Sequence, residues 1–261
     1  MPPRALILAG RRSGADALAA SCGLTHRALL PIAGVPMLLR VVRTLRASSV
    51  ATPIAVTADD PGLLHANEEL AAMTTAGELV FHRAGASPAT SVADYFESGA
   101  DSPLFVTTAD HPLLTPRIVD HFLREAMASS ADFVVGLVAG TVYCARFPDQ
   151  ARTFIVLRDE KFSGANLFLL RTRGALEVPR FWTRAEAYRK KPWRLASVFG
   201  MSNLALFLAG RLDLHGAIER VSQVIGARVD TVLLPFAEAA LDVDKEADRI
   251  VAERLLASPQ P

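Results

Sequence analysis

Residues 5–9 read ALILA, five apolar side chains in a row that end at Gly10. A strand with one face in water alternates apolar and polar residues, so an unbroken apolar run needs cover on both faces. Strands of that kind belong to parallel sheets with helices packed on each side. The same signal returns in PIAVT (residues 53–57), in Leu79 to His82, in PLFVT (residues 103–107) and in Ala131 to Leu137. Between these runs the spacing turns helical. Met37 to Arg46 follows Pro36, a residue suited to a helix start. Pro61 to Ala72, Ser91 to Ser98 and Pro116 to Ala128 carry further helical patterns. Strand and helix alternating through short connections predict a three-layer α/β/α fold with a mostly parallel, mixed sheet, Rossmann-like in outline.

In the second half, Thr153 to Leu157 and Leu167 to Leu170 are expected as strands flanking RDEKFSGAN. Phe181 to Leu208 is expected to be helical and encloses YRKKPW, and Leu212 to Ile225 reads as another helix. Arg228 to Leu234 is the last expected strand, and a helix after ALDVDKEAD runs to about Leu256. No repeat, low-complexity tract or linker divides the chain. A single domain over residues 1–261 is expected, with a substrate-side insertion at about 140–225.

At 51% hydrophobic residues, a chain of 261 can bury a sizeable core. The net charge of +1 provides no global field for nucleic acid or a membrane surface, so only local basic clusters are expected to bind anions. No run of about 18 apolar residues is present to span a bilayer. Cys22 and Cys144 lie far apart without a CxxC, and a reducing cytoplasm is the expected location.

Ligands of open α/β sheets bind beyond the carboxyl ends of the strands. The first strand is left there by AGRRSG. Gly10 allows backbone N–H groups to approach an anion, and Arg12 adds a planar fork suited to phosphate. The stretch is neither GxGxxG nor GxxxxGK[ST], which weakens a dinucleotide-binding reading and argues against a P-loop. By itself it fits a phosphate loop and a charged surface turn alike.

The wider stretch is more specific. LILAG followed by HRALLPIAGVPML resembles the amino-terminal signature of the MobA-like and sugar-nucleotide NTP transferases, LAGG-x-G-x-R-M, then P-K, then L-x-x-x-x-G-x-P-M/L. Leu8, Ala9 and Gly10 match its start. Leu29, Gly34, Pro36 and Met37 match its end. Arg11 stands where the family keeps a glycine, His26 where it keeps a proline, and Arg27 where it keeps the catalytic lysine. The resemblance implies that Leu8, Ala9, Gly10, Arg11 and Gly14 bind the nucleotide, and that Arg12 and Arg27 are catalytic cations on the triphosphate. Arg27 preserves the charge of the lysine but not its shape.

VTTADHPLLT, residues 106–115, resembles the family motif G/A-D-x-P-L and implies that Asp110 is catalytic and binds Mg2+, a hard cation that takes carboxylate oxygen and bridges phosphates. Thr108 would line the nucleotide and His111 the substrate. Without the resemblance, Asp110 reads equally as a turn or capping residue before Pro112. ALDVDKEAD resembles D-[IV]-[DN]-T-P-E-[DE]-L and implies Asp244 as a second metal ligand, with Asp242 on the same side of an extended segment. The residues alone also fit an aspartate capping an acidic helix start. HRAGASPATSVAD resembles the base-reading segment and implies Ser87, Thr90 and Ser91; helix capping is the other reading. DEKFSGANLFLL resembles the acceptor-lining segment and implies Gly164 and Asn166, although asparagine near glycine also marks turns. YRKKPWRLA gathers Arg189, Lys190, Lys191 and Arg194 around Trp193, with Lys190 expected at the substrate, or else on a solvated helix face.

The expected activity is nucleotidyl transfer from an NTP, CTP or GTP, to a phosphorylated small-molecule acceptor, dependent on Mg2+ and releasing pyrophosphate. No Ser-His-Asp or Cys-His arrangement, GxSxG or HExxH competes with it. Two alternatives stand beside it. A glycosyltransferase would use Asp242 and Asp244 as a DxD motif, though that motif normally follows a central strand rather than the last. A silent nucleotide-binding relative would account for Arg11 and Arg27.

Overall fold

A computed structural model describes residues 1–10, 16–99, 102–186 and 210–257. Strand β1 (Arg4–Leu8) lies inside the sheet, parallel to β4 (Ile54–Ala58) on one side and β6 (Leu104–Thr108) on the other. Beyond β4 comes β5 (Leu79–Arg83), also parallel. Beyond β6 come β9 (Lys161–Leu170), β7 (Phe133–Ala139) and β10 (Val229–Leu233), giving the order β10-β7-β9-β6-β1-β4-β5. β9 runs antiparallel to both its neighbours, and the short β8 (Ile155–Val156) pairs with it. The other strands share one direction, so their carboxyl ends form one edge.

The apolar run of β1 is buried as its pattern requires: Ala5, Leu6 and Ile7 are each 0% exposed. Ala5 and Ile7 join the layer of α2 (Met37–Arg46) and α5 (Pro116–Ala128), while Leu6 joins Val92 and Phe96 of α4 (Pro88–Ser98) on the opposite face. In α2, Met37, Leu38, Leu39, Val41, Val42 and Leu45 are buried, and Arg43 and Arg46 close the last turn, where positive charge suits the helix dipole. Each such buried side chain contributes roughly 1.5–3 kcal/mol of transfer free energy.

Three elements differ from the sequence reading for visible reasons. The expected helix Pro61 to Ala72 is split into a 3-10 turn (Pro61–His65) and α3 (Glu68–Thr75). Asn67 causes the break, since its side chain accepts from the N–H groups of Glu69 and Leu70 and restarts the helix. A helix, α6 (Gly140–Arg146), forms directly after β7 where none was expected. And β9 begins at Lys161, six residues before the expected Leu167, so Gly164 and Asn166 lie inside a strand. The β7–β9 register shifts between Val135 and Leu137, and Asn166 takes φ 51 there. The strand is bulged, with an asparagine in the left-handed region that this residue type tolerates.

Residues 155–170, from the range read as an insertion, thus supply β8 and β9 to the sheet itself. Helix α7 (Glu177–Glu186) follows, and the rest of the expected helix to Leu208 lies outside the described residues. Among the described residues, helices α8 (Leu214–Ile225) and α9 (Glu246–Ala257) follow, with α1 (Ala17–Ser21) near the start of the chain. At the edge away from the carboxyl ends, Asp132 ties three strands together. Its carboxylate accepts from Arg228 N, Nε and Nη2 at 3.1, 3.1 and 2.8 Å and from Thr172 Oγ1 at 2.5 Å. Among the described residues no helix is long and apolar enough to cross a membrane.

Candidate active site

The carboxyl edge gathers segments distant in sequence. Leu8 O accepts from Ala109 N at 3.0 Å and Ala9 N donates to Thr57 O at 2.9 Å, so the chains leaving β1 and β6 start side by side. A Cβ built on Gly10 would meet Cβ of Ala84 at 3.4 Å, which places the loop after β5 against the first loop. The peptide N–H of Val243 donates to Asp110 O at 2.9 Å, and this bond brings the segment before α9 to the end of β6. Gly10, Asp110 and Asp244 therefore meet at one place.

Arg27 joins the same group. Its Nε donates to Asp16 Oδ2 at 2.5 Å and its Nη1 to Asp244 Oδ1 at 2.6 Å. Asp16 caps α1 with its other oxygen, accepting from Leu18 N and Ala19 N at 3.1 Å each. Burial pushes the Asp16 carboxyl upward, but the bond from Arg27 and those from the helix N–H groups outweigh it and hold it below its usual value. The carboxylate of Asp248, in the first turn of α9, accepts from the backbone N–H groups of Asp244 and Lys245 at 3.1 and 3.0 Å and so holds the segment that carries Asp244.

Asp110 is the electrostatic centre. Burial raises its pKa first, the charges of Asp242 and Asp244 raise it further, and the Thr108 hydroxyl opposes them. Its Oδ1 is buried with no protein hydrogen-bond partner. His111 beside it is 1% exposed and is pushed down to about 4, mainly by burial, against the opposing pull of Asp242 and the carbonyls of Ala239 and Glu238. It is neutral at pH 7 and packs under the site. Asp242 is claimed by Arg152 through Nη1, with Asn166 Nδ2 near its other oxygen at 3.4 Å. Burial pushes Asp242 upward, yet the Arg152 guanidinium holds it below its ordinary value.

Ser87, Thr90 and Ser91 sit at the start of α4, next to the first loop. Ser87 and Thr90 form a reciprocal capping box. Ser91 Oγ accepts from Gly85 N at 2.9 Å and donates to Ser87 O at 3.0 Å. These hydroxyls are engaged in holding the loop. Gly164 lies exposed on β9, where a Cβ would meet nothing within 4 Å. Arg11, Arg12 and Gly14 of the first loop, and Lys190, lie outside the described residues. The motif residues Gly34 and Pro36 are structural. Ala33 (φ 48) and Gly34 (φ 76) form the turn between β2 (Pro31–Ile32) and β3 (Val35–Pro36), and Pro36 precedes α2.

Sequence reasoning missed Asp16 and Arg152. Asp16 carries a readable signal, an aspartate before a helical run, but its ion pair with Arg27 emerges only from the fold. Arg152, in DQARTF, carries none. A separate cavity of about 200 Å3 under α4 and α7 is lined by apolar side chains including Leu8, Val92, Phe168 and Trp182. Its described lining has no charged side chain and gives a triphosphate nothing to bind. Among the described residues no group of three or more His, Cys, Asp or Glu side chains is spaced to hold a metal ion by itself.

Residues 5–186 match the MobA-like NTP transferase domain family. Among solved structures, a protein from Thermus thermophilus described as a hypothetical transferase is 29% identical, with 95% of this chain and 100% of that one covered at a TM-score of 0.78. CMP:2-keto-3-deoxy-manno-octonic acid synthetase complexed with CTP is 18% identical, with 97% and 98% covered at 0.56. The 2-C-methyl-D-erythritol 4-phosphate cytidylyltransferase of Thermus thermophilus is 17% identical, with 98% of both chains covered at 0.51. The last two share the fold. No curated protein matches the chain.

Proposed function

We propose that this chain, which belongs to the MobA-like NTP transferase family, joins the nucleotidyl group of CTP or GTP to a phosphorylated small molecule and releases pyrophosphate. One observation carries the proposal. At the carboxyl edge of the sheet, the buried Asp110 carboxyl has an oxygen without a protein partner and two more carboxylates close enough to raise its pKa. Crowded negative charge of this kind is relieved by a cation. CTP is the first candidate because two proteins of the same fold handle cytidine nucleotides.

The donor set fits Mg2+. Asp110 and Asp244 are hard oxygen donors, and Mg2+ is commonly held by one or two carboxylates with phosphates completing its shell. When bound there, it would draw charge from the α-phosphate and hold it near the acceptor. The residues of the chain do the rest. Gly10 brings backbone N–H groups to the phosphates, and Arg27, with Arg12, balances the charge that grows on pyrophosphate as it leaves. An oxygen of the acceptor phosphate bonds to the α-phosphorus while the bond to the bridging oxygen breaks, and its electron pair departs with pyrophosphate. The acceptor oxygen is already ionised at pH 7, so no base is needed and a neutral, buried His111 is no obstacle. Catalysis then rests on in-line positioning and charge. Both aspartates pair with an arginine, but Asp244 is the more open of the two, 42% exposed against 16% for Asp242, which favours Asp244 as the second ligand over a DxD pair. The scarcity of cysteine, Cys22 and Cys144 alone in 261 residues, is the ground on which we assign the protein to a reducing cytoplasm.

The test is a pyrophosphate-release screen of four NTPs against phosphorylated metabolites with Mg2+. Turnover with CTP or GTP and one acceptor class is expected, and Asp110→Ala should abolish it while circular dichroism stays native. Undiminished release by that variant, or release of a nucleoside diphosphate from a nucleotide sugar instead, would overturn the assignment.

A further inference from the structure

Arg152 lies on the loop between α6 and β8 and belongs to no motif. Its Nε donates to Ser163 Oγ at 2.8 Å, its Nη1 to Asp242, and its Nη2 to Gly164 O at 3.3 Å. All three guanidinium nitrogens are engaged with the protein. The side chain is 20% exposed and that of Asp242 is 16% exposed. This arginine spends its fork on the fold and does not offer it to an anion.

The bulge in β9 provides a second hold on the same carboxylate. It puts Asn166 into the left-handed region, and Asn166 Nδ2 comes to 3.4 Å from Asp242 Oδ2. Bulges often re-aim a side chain in this way. From Asp242 the path is short. The next residue, Val243, donates its N–H to Asp110 O at 2.9 Å, and the one after it is Asp244. A continuous path thus runs from β9 through Arg152 and Asp242 along the backbone to Asp244, and through the Val243 N–H to the main-chain oxygen of Asp110.

We propose that Arg152 is a positioning residue: by clamping Asp242 to Ser163 and Gly164 of β9, it fixes the segment 241–244 and sets Asp244 against Asp110. The proposal rests on the reading of Asp110 and Asp244 as the metal-binding pair. Arg152 also supplies the cation that lets a third carboxylate stand beside those two without driving them apart. Removing such a supporting partner typically weakens metal binding about 10- to 100-fold.

The experiment uses the full chain and two readouts, Mn2+ binding followed by electron paramagnetic resonance in the presence of CTP, and hydrogen exchange at the Val243 amide. Arg152→Ala should weaken Mn2+ binding by about 10- to 100-fold and speed exchange at Val243. Arg152→Lys, with one donor head in place of a fork, should recover part of both. Asp242→Asn combined with Arg152→Ala should be no worse than Arg152→Ala alone, because the two act through one bond. If Arg152→Ala fails to fold, Arg152→Lys and Asp242→Asn weaken the same clamp and carry the same expectation. Wild-type Mn2+ affinity and wild-type exchange in Arg152→Ala would overturn the proposal. So would a loss confined to inorganic phosphate binding, which would make Arg152 an anion receptor. Wild-type Mn2+ affinity in Asp110→Asn would count against the metal pair itself, and the exchange rate at Val243 then decides the clamp.

Discussion

Arg27 grips two carboxylates with two different nitrogens, Nε on Asp16 and Nη1 on Asp244. A lysine ammonium is a single point and cannot divide itself along a fork in that way. An arginine at this position therefore ties the start of the described chain to the segment before α9 while keeping a positive charge there. Arg27→Ala should lower kcat/KM for the NTP on the order of 100-fold, the usual cost of removing one stabilising donor from a developing oxyanion. Arg27→Lys should restore much of that rate, since the charge returns. Steady-state pyrophosphate release measures both, and an unimpaired Arg27→Ala would take Arg27 away from the triphosphate. At this scale the sequence was unevenly legible. Asp110 and Asp244 stand in short motifs, and the structure joins the ends of those motifs through the Val243–Asp110 bond. Arg152 and the Asp16–Arg27 pair depend on partners 90 and 11 residues away, and no local pattern encodes such distances.

Strands β7, β9 and β10 are held at their far ends by one side chain, Asp132, whose carboxylate serves Arg228 and Thr172 together. The Arg228 guanidinium, helped by the Thr172 hydroxyl, holds this carboxyl well below the usual carboxylate range against a smaller opposing effect of burial. The folded state therefore binds a proton more weakly than the unfolded state. The stabilisation is fully present above the unfolded value of about 4 and fades as pH falls through the lower folded value. Asp132→Asn should cost on the order of 1 kcal/mol at neutral pH, because the Arg228 side of the pair is 65% exposed and screened by solvent. That gap should narrow toward about pH 3, where the wild-type carboxylate begins to lose its advantage. Urea unfolding at both pH values checks this; a gap that widens on acidification would show that Asp132 is not the group responsible. Nucleotide binding should be unaffected, because Asp132 lies at the edge away from the site. Elements built on apolar period, such as β1, α2 and α5, were readable because burial alone decides them. Strand β9 was not readable from Lys161, because its bulge breaks the alternation and puts Gly164 and Asn166, both turn-formers by type, inside the strand. The split at Asn67 was missed because a cap within an apolar-periodic stretch looks like one more polar position.

At the scale of the whole molecule, the site draws on both ends of the described chain. Arg27 and Gly10 come from the first strand–helix unit, Asp110 from the middle, and Asp244 from the segment before the last helix. A net charge of +1 is a sum over the whole chain and shows nothing of this local gathering of carboxylates. A ligand bound there bridges segments that the sequence keeps more than 200 residues apart, as the Arg27–Asp244 separation of 217 records. It must therefore bind the native state and not the unfolded chain, and it stabilises the fold by mass action. At 100 times its dissociation constant, a nucleotide should contribute about 2.7 kcal/mol. For a chain of this size that corresponds to roughly 5–10 °C in Tm, at about 2–4 °C per kcal/mol. The shift should require CTP and Mg2+ together, because each supplies what the other needs: phosphates complete the shell of the cation, and the cation relieves the repulsion between those phosphates and Asp110 and Asp244. Either one alone should move Tm by a small part of that amount. Asp110→Asn should keep the small response to CTP alone and lose the added response to Mg2+, a pattern that separates loss of the cation from loss of the nucleotide loop. Differential scanning fluorimetry with CTP, GTP and ATP, each with Mg2+ and with EDTA, measures all of this. An equal CTP shift in EDTA would place the binding energy in the loops and arginines and remove the carboxylate pair from it.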